Sequence, residues 1–475
     1  MREYFFRVIF LVFFALLFQY NAISYAVEEV IEETNNETIE NVEEVLDEKN
    51  SVQLENIEEK VIVGKISFDS VSEKAKNHSY DIKLADFDIM ISKQGIRNAR
   101  SQYFPKIIAT AGTEYTKNFN DYSNSIVTTV GDAFINPYTR FQSIFGVTLS
   151  YNLFDFGIRR NSLDIEKADT ALKELLLLEK FQDLDLTLID TYSRLLMLKK
   201  QIEINEEILS LNQQNLEIKQ RLYDAEELSL IELQTQKAEV QKIETALIDL
   251  KKAAQESLSW LSFYTGEEYD LNSLKVEELN KPNFNPLEFN DYTKTITWQI
   301  QEKELKKKEL ALKIAKKNYL PKVNAYSRYY IYGSDYSSYR DALSDISPSN
   351  YTVGANVMMP IFDGFQTSAN VQKASLELQQ QQVFRDKVIA ELMNKLSIMR
   401  SNLMYLQQQT ITSEKAYDEL KDKEKAIKKL VDKKISSPLE LNQAKIDTLT
   451  LQIECIKNSI TSIATLKAIQ TITTY

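Results

Sequence analysis

The feature that most constrains this chain is that it is written twice. Tyr103-Phe104-Pro105-Lys106 is answered by Tyr319-Leu320-Pro321-Lys322. Phe154-Asp155-Phe156-Gly157 is answered by Phe362-Asp363-Gly364-Phe365, with one extra residue before the glycine in the first copy. Leu222, Asp224, Ser229, Glu232 and Leu233 return as Leu430, Asp432, Ser437, Glu440 and Leu441. The last two correspondences share an offset of 208 residues, so the copies keep register over a long stretch. A period this long is far above the ~20–50 residues of a solenoid repeat. The chain therefore reads as a duplicated half-protein, with repeats over about 61–280 and 281–475.

Each half is dominated by helix. Only 10 of the 475 residues are Gly, against a usual ~7%. Neither Gly nor Pro stands between Gly157 and Gly266, and after Gly364 the only breaker is Pro438. Phe181, Leu188, Leu195, Ile202, Leu209, Leu216 and Tyr223 fall every seven residues, and so do Leu392, Met399, Leu406, Ser413, Leu420 and Ile427. Such stripes mark a coiled-coil seam that supercoils left-handedly, and ordinary bundle core produces them too. Helices over about 159–223 and 367–431 would each reach roughly 95 Å at 1.5 Å per residue.

Both tracts break at equivalent places, Tyr223 to Ser229 and Val431 to Pro438, each supplying a Ser or Ser-Pro suited to starting a new helix. The spacing predicts a tight reversal at each, followed by antiparallel helices over about 230–263 and 438–470. Thr265-Gly266 closes the first, and Pro282 and Pro286 mark the linker between halves.

The N-terminus stands apart. Arg2 and Arg7 precede an apolar run from Val8 to Phe18, and Ser24-Tyr25-Ala26 is an acceptable cleavage site, so residues 1–26 read as a signal peptide. Residues 27–60 carry thirteen acidic residues against two lysines, a composition that cannot offset its ordering entropy and predicts a disordered extension. These segments account for nearly all of the net charge of −12. The body is close to neutral, which excludes a basic field for nucleic acid.

Between helices the periodicity changes to two. A helix over about 68–103 ends at Pro105, and strands follow over about 105–116, 141–153, 321–333 and 350–362. Phe145, Val147 and Leu149 alternate with Thr148 and Ser150, and Val353 and Val357 with Thr352, Gly354 and Asn356. Each strand has one apolar and one polar face. Phe145, Val147, Leu149, Val353 and Val357 are the candidates for contact with lipid, since about ten residues is the length of a membrane-barrel strand. Tyrosines gather near the strand ends, at Tyr115, Tyr138, Tyr151, Tyr326, Tyr329, Tyr330, Tyr332 and Tyr351, as in an aromatic girdle. A soluble sheet with one solvated face would show the same alternation.

Helix, strand with an aromatic-Pro-Lys start, strand ending in Phe-Asp-Gly, long helix, turn and returning helix, all done twice, resembles the TolC-like outer-membrane efflux protein family. The most specific pieces are Tyr319 to Lys322, Pro360-Ile361-Phe362-Asp363-Gly364 and the two reversals, and the resemblance spans about residues 68–470. One departure concerns the reversals, where the family usually has a glycine and this chain has Glu226 and Lys434. The resemblance implies a mainly α fold with a membrane β-barrel contribution, a homotrimer whose subunits each give four strands to a twelve-stranded barrel, and an α-helical periplasmic tunnel. Physics alone requires assembly, because four strands cannot close a barrel and open edges are forbidden in lipid. It allows two subunits or three.

The implied function is a passive exit duct in the bacterial outer membrane, coupled through a periplasmic adaptor protein to an inner-membrane transporter, for efflux or type I secretion. The reversals would then ring the tunnel entrance. Asp224, Glu226, Glu227 and Asp432 are candidate gate residues there, and Arg221, Leu222, Ser229, Lys433, Lys434 and Ser437 are candidates for adaptor contact. An exported rod-like coiled-coil scaffold without a pore is the alternative, distinguished by the paired amphipathic strands. No catalytic motif is present and no cofactor is expected: one His and one Cys exclude most metal clusters and any disulfide within the chain. His78 reads as solvated and Cys455 as a packed thiol.

Overall fold

The computed structural model describes residues 64–117, 128–130, 133–135, 141–285 and 291–474. The expected signal peptide and acidic extension, together with Tyr138 and Pro286, lie outside these residues. In chain order the elements are β1 (Lys65–Ile66), α1 (Phe68–His78), α2 (Tyr80–Ser101), β2 (Lys106–Tyr115), β3 (Thr128–Val130), β4 (Ala133–Ile135), β5 (Phe141–Phe154), α3 (Ile158–Asp224), α4 (Leu230–Thr265), β6 (Lys275–Val276), α5 (Ile296–Lys317), β7 (Lys322–Asp335), α6 (Tyr339–Ser344), β8 (Ser347–Met358), α7 (Gln366–Asp432) and α8 (Pro438–Thr474).

The duplication is visible in element lengths. α3 and α7 each run 67 residues, and α2 and α5 each run 22. α3 and α7 start 208 residues apart and end 208 apart, and α4 and α8 start at the same offset. At 1.5 Å per residue the long helices span about 100 Å. α2 packs on α3, α3 on α5 and α5 on α7, so one protomer forms a four-helix strip of wall. Further along, α4 returns against α3, and α8 against both α7 and α3. No helix among the described residues is long and apolar enough to cross a membrane.

The seven-residue stripe changes character along α3. Leu188, Leu195 and Ile202 are buried, Leu209 and Leu216 half-buried, and Tyr223 exposed. Over the first of these a separate layer adds the main core: Val71 and Ala75 of α1, Leu258 and Leu261 of α4, and Tyr269 and Leu274 after it. Tyr192 stands inside this layer. Its hydroxyl lies 3.0 Å from the Ile66 carbonyl and 2.9 Å from that of Glu277, pinning the parallel β1–β6 pair onto α3. α7 has no such cover, and only Thr367, Leu392, Leu396, Leu403 and Ser413 are buried along it.

Two sequence expectations are corrected. The helix expected over 68–103 is two helices, broken at Ser79, whose backbone leaves the helical region at φ −51°, ψ 125° while its amide still donates to the Ala75 carbonyl. His78, expected in solvent, is half-buried at this break, its ring against Gly266. Gly266 adopts φ 71° to end α4, and a Cβ there would lie 2.6 Å from the imidazole. The second correction concerns Phe154 to Gly157, where the residue ahead of the glycine is not an insertion in the turn. Phe156 and Gly157 are both left-handed (φ 54° and 80°), and so are Gly364 and Phe365 (φ 64° and 67°), so phenylalanine and glycine have exchanged places within one conserved turn geometry. In each copy an aspartate caps the following helix: Asp155 accepts from the amides of Gly157 and Arg159, and Asp363 from that of Thr367.

Candidate functional site

β2, β5, β7 and β8 form one antiparallel sheet in that order. Register settles which residues share a face. Leu149 lies opposite Ile107 and Ser327, and Ser327 opposite Val353; Val147 lies opposite Ala109 and Tyr329; Phe145 lies opposite Ala111 and Ile331; Val357 lies opposite Val323. The candidates Phe145, Val147, Leu149, Val353 and Val357 therefore stand on one face, because side chains alternate along a strand. Val147, Val353 and Val357 are exposed there, at 45%, 65% and 68%.

The opposite face is polar. Thr148, Arg328 and Thr352 form one cross-strand row, and Asn152, Asn324 and Asn356 another. Two glycines shape it. A Cβ at Gly146 would lie 2.4 Å from the Tyr330 ring, and one at Gly354 would lie 2.7 Å from the Tyr326 ring, so these tyrosines lie flat over their neighbouring strands. Arg328 stacks on Tyr326 at 4.5 Å. Sequence alternation identified the faces, but the glycine-tyrosine pairs needed the register.

At the other end of the long helices the two reversals are built alike. Glu226 has φ 62° and so does Lys434. The amide of Glu227 donates to the Leu222 carbonyl at 2.8 Å and that of Glu226 to Tyr223 at 3.0 Å. Ile435 donates to Leu430 at 2.9 Å and Lys434 to Val431 at 2.8 Å. This is the Schellman arrangement, which normally places glycine at the left-handed position. Ser229 then caps α4 through a full capping box with Glu232, and Ser437 accepts from the Glu440 amide at 3.3 Å to start α8. Asp224 and Asp432 are the last helical residues, and Gln220 donates to Asp224 at 2.9 Å. Asp224, Glu226, Glu227, Asp432, Arg221, Lys433 and Lys434 are all exposed, while Leu222 is half-buried. No ion pair joins these charged side chains among the described residues of one protomer.

The sequence matches the outer membrane efflux protein family over residues 71–267 and 299–470. The chain belongs to that family. Its place is accordingly the outer membrane, and its helices extend into the periplasm. Solved structures agree at the level of fold. VceC from Vibrio cholerae superposes with a TM-score of 0.67 at 15% identity, covering 85% of this chain and 95% of that one. The Campylobacter jejuni CmeC outer membrane channel gives 0.68 at 16%, covering 85% of each chain. The open state of the Neisseria gonorrhoeae MtrE outer membrane channel gives 0.57 at 15%, covering 85% and 88%. A comparison with curated proteins found no match.

Within this efflux-protein fold one set of residues escaped the sequence reading. Gln236 of α4 donates to the Asn212 carbonyl oxygens of both side chain and backbone, at 3.1 and 3.2 Å, and Lys219 donates to Gln236 at 2.8 Å. Asn442 of α8 donates to Asn215 at 2.8 Å. All four amide side chains are buried, within about one to four helical turns of the reversals. The available signal was two asparagines, Asn212 and Asn215, on the apolar side of a helix otherwise rich in Leu and Ile.

Proposed function

We propose that three copies of this chain form the exit duct of a tripartite efflux or type I secretion system, a passive pore joined through a periplasmic adaptor to an inner-membrane pump. One observation carries this reading: a single protomer is unfinished at both edges. β2 and β8 each pair on one side only among the described strands. The flanking helices of the wall carry bare apolar rows, Leu84, Phe87 and Ile91 on α2 and Leu376 and Val383 on α7. Unpaired edges in lipid and apolar helix faces in water both call for a neighbour. A ring of protomers satisfies both at once, α7 and β8 of one copy meeting α2 and β2 of the next. A coiled-coil scaffold has no use for the four-stranded sheet.

In this reading residues 1–26 direct export, ahead of repeats at 61–280 and 281–475. The reversals ring the tunnel entrance, where Asp224, Glu226, Glu227 and Asp432 repeat by symmetry and act on passing cations. Arg221, Leu222, Ser229, Lys433, Lys434 and Ser437 meet the adaptor. The test is current through the purified protein in a planar bilayer. Asp224→Asn with Asp432→Asn should change divalent-cation block or single-channel conductance while the assembly stays intact. Currents unchanged across a range of divalent concentrations would leave these residues as surface charges, and the absence of any channel would remove the duct.

A further inference from the structure

We propose that the cleft between the start of α3 and the end of α5 binds the phosphate of a membrane phospholipid. The cleft encloses about 480 Å³, and Arg160, Lys306, Lys313 and Lys317 line it against a single carboxylate, Asp164. Lys306 is engaged with Glu309 at 3.7 Å, and Lys317 donates to the Gly157 carbonyl at 3.5 Å. Arg160 and Lys313 carry no ion pair among the described residues. Cations gathered in a cleft attract an anion, and a guanidinium beside ammonium groups suits the oxygens of a phosphate.

The surroundings point to an amphiphile. Phe156 lines the cleft and packs edge-on against Phe154, ring centres 4.7 Å apart. The bulge after Asn152 sets Phe154 opposite Val323, on the face of the sheet that carries Leu149 and Val357. Apolar strand surface thus runs into the cationic cleft through an aromatic pair. Phe156 keeps a left-handed backbone, φ 54°, where the second repeat has Gly364, and Arg160 corresponds to Ser368. The site is therefore a property of the first repeat alone.

The cleft also opens on the right side. Counting in sevens, Arg160 belongs to the stripe of Leu188 and Leu195, which the layer of α1, α4 and the β1–β6 pair covers. A layer of that bulk inside a tunnel would block it, so the covered stripe faces outward. Because α3 and α5 are the inner two of the four wall helices, a neighbouring protomer leaves the cleft free. The outward orientation of the cleft and its place at the membrane's periplasmic edge rest on the duct reading; binding itself lies within one chain.

The experiment is native mass spectrometry of the full, delipidated protein titrated with phosphatidylglycerol, with diacylglycerol of the same chains, and with inorganic phosphate as competitor. Phosphatidylglycerol should bind once per chain and more tightly than diacylglycerol. The triple variant Arg160→Gln, Lys313→Gln, Lys317→Gln should bind it at least about tenfold more weakly, the equivalent of losing one charge-assisted hydrogen bond. The control Lys237→Gln, Lys242→Gln, Lys252→Gln on α4 should bind as the parent does. Equal binding by the triple variant and the parent, or of diacylglycerol and phosphatidylglycerol, would overturn the proposal. Displacement of the lipid by equimolar inorganic phosphate would overturn the lipid assignment. A mass other than that of a trimer would count against the duct while the lipid count per chain still decides this site.

Discussion

Asn442 donates its side-chain amide to the carbonyl oxygen of Asn215 across 2.8 Å, with both residues buried. The bond ties the return helix of one repeat to the long helix of the other, nine residues before the first reversal. Two leucines would bury more apolar area there, but an amide pair is satisfied in one axial alignment only, as with a buried Asn in a coiled coil. Asn442→Leu alone should cost about 1–3 kcal/mol, because Asn215 is left buried without its donor. Asn442→Leu with Asn215→Leu should recover most of that loss in thermal unfolding of the detergent-solubilised protein. A single variant no worse than the double would mean that the pair does not set alignment.

The strand register makes neighbouring residues differ sharply. Leu149 stands on the apolar face and Ser150 on the polar one. Leu149→Arg should destabilise the assembled protein by about 2–4 kcal/mol if it lies near the membrane midplane, with Ser150→Arg much milder. The check is folding into lipid bilayers under a urea series. Equal tolerance at the two positions would assign the alternation to a sheet in water.

Glu226 and Lys434 occupy left-handed positions at which a side chain costs on the order of 1 kcal/mol. Glu226→Gly and Lys434→Gly should each slow amide exchange in the reversal and first turn of the return helix. Faster exchange in both variants would show that the side chains, and not the backbone, hold the reversals shut.

The sequence made the helices and reversals legible because a seven-residue period, a scarcity of glycine and a Ser at each helix start are local signals. Leu188, Ser229 and Ser437 sit where those signals put them. Alternation along single strands likewise placed Phe145, Val147 and Leu149 on one face. What stayed hidden depends on partners distant in sequence: Asn215 finds Asn442 across 227 residues. The turn at Phe156 and Gly157 stayed hidden too, because a phenylalanine in a glycine conformation leaves no mark in the sequence. The same holds for Glu226 and Lys434, whose backbone is set by hydrogen bonds and not by residue type.

Titration offers a separate check along α3. Burial raises the Glu179 carboxyl above its ordinary value near 4.5, with Asp183 adding to the shift and Lys180 opposing it. The native state therefore holds this proton more tightly than the unfolded chain, and the site's contribution to stability falls as pH rises through that window. Glu179→Gln should raise the Tm at about pH 7 and have little effect at about pH 3, where the carboxyl is protonated in both the folded and the unfolded chain. A gain of the same size at both pH values would trace the effect to packing.

The account stands on the two unfinished edges of a single protomer. The measurement that addresses them most directly is the mass of the protein extracted from outer membranes in mild detergent, by sedimentation with the bound detergent accounted for. Three chains per particle, stable on dilution, is the predicted result. A monodisperse monomer that stays in solution once detergent is removed would contradict it, because β2, β8 and the apolar rows of α2 and α7 would then be complete without a neighbour.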